Sequence, residues 1–149
     1  MALKEKFETE LFQAIRTKDE IRKRTIRMAI SSIKLAEIEL KGKLDDAAII
    51  ATLYKEIKIR NEKIEDAKKG NRELIIKETD TEIAILKEFL PKGMDEQELI
   101  NIAREVIREV NAQGMKDMGN VMKKMIERVG GQAPNDAISR VVKEFLQKV

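Results

Sequence analysis

Two residue types that dominate enzyme chemistry are missing from this 149-residue chain: it has no cysteine and no histidine. Without cysteine there is no disulfide framework, thiol nucleophile or thiolate metal site. Without histidine the commonest general base and the commonest transition-metal ligand are gone. Serine–histidine and cysteine–histidine catalysis within the chain are therefore excluded. Carboxylate–magnesium and lysine chemistry remain open. Tryptophan is absent and there is a single tyrosine, Tyr54, so stacking platforms for nucleobases are lacking. Only two prolines occur, Pro91 and Pro134, and both punctuate periodic stretches rather than interrupt them. Uncharged apolar runs are a few residues long, too short to span a membrane. The opening Met1-Ala2-Leu3-Lys4-Glu5-Lys6-Phe7 mixes charges of both signs and has no signal-peptide apolar core, which predicts a cytoplasmic protein.

What is present is dense, balanced charge: 30 basic and 27 acidic residues, net +3. Neither half is a charged tail, since residues 1–91 hold 20 basic and 18 acidic side chains. A chain of this length can bury a full core without disulfide or metal staples.

Apolar residues recur at helical spacing throughout, and no window alternates as a strand does. Leu3 to Arg16 forms a first helix with Phe7, Leu11, Ala14 and Ile15 inward. Asp19 to Leu40 forms a second with two apolar stripes. Ile26, Ala29, Ile30, Ile33 and Leu40 make one; Ile21, Met28 and Leu35 make the opposite one. A helix apolar on two faces is central in a bundle or covered by a partner. Asp45 and Asp46 cap a third helix running to Lys69, with Leu53, Ile57 and Ile64 at heptad-like spacing. A fourth helix carries Ile76, Ile83 and Leu86, and Pro91 stops it.

After Pro91-Lys92-Gly93-Met94 the run Asp95-Glu96-Gln97-Glu98 reads as a capping box. Three helices follow, divided by Gly114 and by Gly130-Gly131, with Pro134 at the start of the last. The pattern predicts an all-α protein: an N-terminal helical hairpin or bundle over residues 1–91, then a C-terminal three-helix bundle over residues 95–149.

Several stretches resemble the GatB/YqeY family. They are Lys18-Asp19-Glu20-Ile21-Arg22 with Thr25-Ile26-Arg27-Met28, the run from Glu78 to Pro91, and above all Met115-Lys116-Asp117-Met118-Gly119-Asn120-Val121-Met122. The last is similar to the motif that YqeY proteins share with the C-terminal tail of the GatB subunit of the glutamine-dependent aminoacyl-tRNA amidotransferase. The likeness extends over essentially the whole chain. It implies a helical region and tail without the catalytic domain, a tail associated with tRNA, no cofactor, and carbon–nitrogen ligase chemistry only alongside other subunits. One departure stands out. The family places Asp after Gly-x-Ala at the last helix start, whereas here Gly131-Gln132-Ala133 leads into Pro134, leaving Asn135 or Asp136 to serve.

Two basic constellations suit phosphates. Lys23, Arg27 and Lys34 share one face of the second helix, in line with Arg16 were the first two helices continuous. The alternative is a solvated flank paired with Glu20 or Glu37. Lys116, Lys123, Lys124 and Arg128, with Arg140 and Lys143, form the second set. Asp117 is expected to cap the sixth helix, and Gly119 either admits a close backbone approach or permits tight helix packing. Arg60 lies on the apolar stripe of the third helix and needs a carboxylate, with Glu78 and Glu82 as candidates for a structural ion pair or a ligand site. Glu78, Asp80 and Glu82 are read as a solvated face, so no metal is called for. The preferred function is a non-catalytic, tRNA-associated accessory protein contacting backbone phosphates. The alternatives are a protein–protein adaptor that uses the second helix, or an auxiliary amidotransferase component.

Overall fold

The computed structural model describes residues 2–148. Among them it contains seven α-helices and a 3-10 turn, and no strand: α1 Leu3–Arg16, α2 Glu20–Leu40, α3 Asp46–Lys69, α4 Glu73–Lys87, α5 Glu96–Glu109, the turn Met115–Asp117, α6 Met118–Val129 and α7 Asn135–Leu146. Three helix starts, those of α2, α3 and α5, follow from an aspartate one position upstream. Asp19, Asp45 and Asp95 each accept a hydrogen bond from the backbone N–H three residues on, at 3.1, 2.9 and 2.8 Å. Ends are closed by left-handed residues: Lys41 (φ 58°) after α2 and Gly130 (φ 59°) after α6.

Contacts divide the chain into two compact units, Met1–Leu90 and Pro91–Val149. In the first, α2 packs against α1, α3 and α4, and α3 packs along α4. Ile26, Ile33, Leu53 and Leu86 fill the centre. Phe7 of α1 stacks on Phe89 beyond α4, ring centres 4.1 Å apart, and Lys6 lies over the same ring while donating to the Glu88 carbonyl. Arg22 of α2 reaches both Glu10 and Glu88, at 2.9 and 2.7 Å. Those bonds, above all the one to Glu88, hold its guanidinium above its usual basicity, against the opposing effect of burial. At the other end Glu37 bonds Lys4 and accepts from the Leu44 N–H at 2.8 Å.

In the second unit α5, α6 and α7 pack on one another around Val106, Val121, Met125, Ile138 and Val142. The Met94 N–H donates to the Gln132 carbonyl at 3.0 Å, tying the lead-in of α5 to the turn before α7. Pro134 occupies the cap position of α7 in extended geometry, and its carbonyl accepts from Ala137 and Ile138.

The two-striped reading of α2 changes in three dimensions. The stripe through Ile26, Ala29 and Ile33 is buried, but Leu40 at its end is exposed. On the opposite stripe Ile21 packs against the core, while Met28 and Leu35 are 47% and 59% exposed. Within the first unit this helix is covered on one side only. Ile15, expected inward on α1, also lies outside.

Candidate functional site

Among the described residues the buried charges, Arg60 and Glu82, lie where α2, α3 and α4 meet. Arg60 of α3 is 4% exposed and Glu82 of α4 is 6% exposed. Charges so deep require partners. Arg60 Nη1 donates to Glu56 Oε2 at 2.8 Å, one helical turn back, and its Nε lies 3.7 Å from Glu82 Oε2 without a hydrogen bond. Arg24 of α2 sits 3.6 Å from Glu82 and 4.0 Å from Glu78. Of the two carboxylates expected for Arg60, Glu82 is the one in reach, and Glu78 belongs to Arg24 instead. Glu56 escapes a reading centred on apolar stripes, although its four-residue spacing from Arg60 is the available clue. Glu78, Asp80 and Glu82 do not form the solvated face expected: Glu82 is buried where α4 packs on α3 and only Asp80 is exposed, while Glu56, Glu78 and Glu82 join the arginines in an ion-pair network. No group of three or more Asp or Glu side chains among the described residues is arranged to hold a metal ion.

This network fixes the position of α2. Ser32 Oγ donates to Glu56 Oε1 at 2.8 Å, and Arg60 Nη2 approaches the Met28 sulfur at 4.0 Å. The outer side of α2 carries an open depression of about 600 Å³ lined by Glu20, Lys23, Arg24, Arg27, Met28, Ser31 and Ser32. Lys23 pairs with Glu20 at 3.0 Å. Arg27 and Lys34 are exposed and make no ion pair among the described residues, because Glu37, the other acid considered, is taken by Lys4.

The second basic set lies in the C-terminal unit, and the structure separates it into two kinds. Arg128 forks onto Glu109 at 3.1 and 2.7 Å and stands 3.8 Å from Glu105. Its hydrogen bond holds Glu109 below the ordinary carboxylate range and raises Arg128 in turn. Arg140 lies 3.6 Å from Glu96. These two arginines brace α5 against α6 and α7. Lys116, Lys123, Lys124 and Lys143 are exposed and make no ion pair among the described residues, with Lys124 acting on Glu109 only through its field.

Asp117 does not cap α6. Its carboxylate turns back to accept from the Gln113 N–H at 2.7 Å, because the 3-10 turn Met115–Asp117 already continues into the helix and no α6 N–H is offered to that side chain. Asp117 is a clasp on the loop. Gly119 lies on the exposed first turn of α6, and a Cβ built there meets nothing within 4 Å. Tight helix packing is therefore not what the glycine provides.

The family model described as Yqey-like protein matches residues 4–146. The chain belongs to the YqeY-like family. Two curated relatives share part of it, both named "Altered inheritance of mitochondria protein 41, mitochondrial". The one from Lachancea thermotolerans is 39% identical over 82 residues, and the one from Vanderwaltozyma polyspora is 34% identical over 82 residues. Each match spans 54% of this chain and 44% of the relative, so the chain covers under half the length of these relatives. Both are named as mitochondrial proteins, which overturns the cytoplasmic expectation. That expectation rests on the lack of a signal-peptide apolar core in the opening residues, and such an absence says nothing about compartment. No helix among the described residues is long and apolar enough to cross a membrane.

Proposed function

We propose that this YqeY-like chain is a non-catalytic, tRNA-associated accessory module that grips the phosphate backbone through its C-terminal unit. The observation that carries the reading is the sorting of that unit's cations. Arg128 and Arg140 are neutralised by Glu109 and Glu96, whereas Lys116, Lys123, Lys124 and Lys143 face solvent without a salt bridge. Lysines held in this way suit phosphates as point charges, and they release counterions when they bind. The resemblance of Met115–Met122 to the GatB tail supports tRNA as the nucleic acid. Base reading is not part of the proposal. Phe145 is half-buried under Arg104, and this leaves the unit no aromatic platform.

Titration with tRNA at two salt concentrations tests this. Engagement of four phosphates predicts a roughly 50- to 150-fold loss of affinity between about 50 and 200 mM salt. Lys123→Glu combined with Lys124→Glu should flatten that slope and weaken binding. Affinity that ignores salt, or a double variant that binds as well as the parent, would remove the proposal.

A further inference from the structure

We propose that the outer face of α2 is a docking site for an amphipathic helix of a partner protein, one that carries a row of carboxylates along one edge of its apolar stripe. Met28, Leu35 and Ile38 are 47%, 59% and 72% exposed. At about 100° per residue they fall within a strip roughly 80° wide. Arg27 and Lys34 lie immediately beside that strip, within about 20° of one another. Both are exposed, and neither has an acidic partner among the described residues. Arg24, one turn before Met28, falls at the same angles, but its guanidinium lies against Glu78 and Glu82, so the apolar part of the strip begins at Met28. Ser32, bonded to Glu56, holds the flank of α2 against α3.

The surface thus presents an apolar strip from Met28 to Ile38 and a positive rail on one side. A helix laid in such a seam is read through residues at i, i+3/i+4 and i+7. The rail selects for charge, since opposite charges at flanking positions steer helix pairing and like charges reject it. An antiparallel second copy of α2 would place rail against rail. A phosphate backbone would satisfy the rail but leave the apolar seam in water. Carboxylates flanking an apolar stripe answer both.

The probe is a synthetic helix of about three heptads with Leu at a and d, Glu at g and Gln at e, compared with the same peptide bearing Lys in place of each Glu. Binding is read by fluorescence anisotropy on the full chain. The Glu peptide should bind at least about tenfold more tightly than the Lys peptide. Leu35→Asp should weaken it by about 10- to 100-fold. Arg27→Glu with Lys34→Glu should invert the preference, so that the Lys peptide becomes the better ligand. These side chains are exposed, and circular dichroism checks that each variant keeps its helix content. Equal binding of the two peptides, binding of neither, or indifference to Leu35→Asp overturns the proposal. Three further outcomes also overturn it, by showing another occupant. They are Leu35-dependent self-association in sedimentation, displacement of the Glu peptide by tRNA with loss of tRNA affinity in the Arg27/Lys34 variant, and binding to phosphatidylserine vesicles that those substitutions abolish. The Lys123/Lys124 titration is read on the other unit and does not depend on the peptide results, so the two proposals fail separately; tRNA affinity lost in the Arg27/Lys34 variant but kept in the Lys123/Lys124 variant would overturn both.

Discussion

In the N-terminal unit charge is carried inside, where Arg60 and Glu82 lie among isoleucines and leucines with Glu56 and Arg24 at their edges. Among the described residues of the C-terminal unit every buried side chain is apolar, and the ion pairs, Arg128–Glu109 and Arg140–Glu96, stay at the surface. The difference has consequences for how each unit is specified. An apolar three-helix core tolerates small shifts of register, because methyl groups exchange neighbours at little cost. A buried arginine that needs two carboxylates on two helices tolerates none, so it fixes α3 against α4 and α2 at the expense of desolvation.

The comparison breaks first at Arg60. Arg60→Ala takes from Glu82 one of its two arginines, leaving Arg24 at 3.6 Å, and strips Glu56 of its hydrogen-bonded partner; the expected loss is about 3 kcal/mol of stability. Chemical denaturation measures it, and amide exchange should place the lost protection in α2, α3 and α4. Replacing both partners, Arg60→Met with Glu82→Met, should recover most of the loss, since a packed apolar pair removes the stranded charge. If the single and double variants are equally unstable, packing volume rather than charge is what Arg60 supplies.

A smaller effect separates the surface pairs by pH. The carboxyls of Glu109 and Glu37 are both held low, the first chiefly by the Arg128 hydrogen bond and the second chiefly by Lys4, with the Leu44 N–H next. A depressed folded-state pKa contributes stability above the unfolded value, and that stability is lost as pH falls through the folded one. Acidification from neutral pH through and below the normal glutamate range should therefore loosen both units. Glu109→Gln should remove only the C-terminal share, visible as a flatter denaturation midpoint against pH and as convergence with the parent at the acid end. Exposed pairs of this kind are weak and screened by salt, so added salt should shrink the difference.

Periodicity makes the helices, the aspartate starts of α3 and α5 and most of the core legible, because apolar spacing and caps are local signals. Arg60 could be read as a buried cation for the same reason: it interrupts an otherwise apolar stripe. Its partner Glu82 and the tie of Arg24 to Glu78 depend on which helix lies beside which, and spacing alone does not fix that. The same holds for Arg128 and Glu109, nineteen residues apart. Asp117 was misread through a local rule. Aspartate before a helix usually caps it, but here the 3-10 turn starts the helix earlier and leaves that carboxylate free to close the Gln113 loop. The exposed side of α2 was visible as a second apolar stripe. Whether it faces a neighbouring helix or solvent is a property of the assembled bundle.

The smallest expected effect lies at Gly119, and it distinguishes folding from recognition in the C-terminal unit. A Cβ there meets nothing within 4 Å, and φ is not in the left-handed region. Gly119→Ala should therefore stabilise α6 by a few tenths to about 1 kcal/mol through helix propensity alone. Thermal denaturation reads that gain. If tRNA comes close to the backbone between Lys116 and Lys123, the same methyl group stands in its path, and affinity should fall while stability rises. A glycine whose replacement improves the fold and harms binding is kept for the ligand. If affinity is unchanged in the stabilised variant, the phosphate contacts lie along Lys124 and Lys143 and leave the first turn of α6 uncovered.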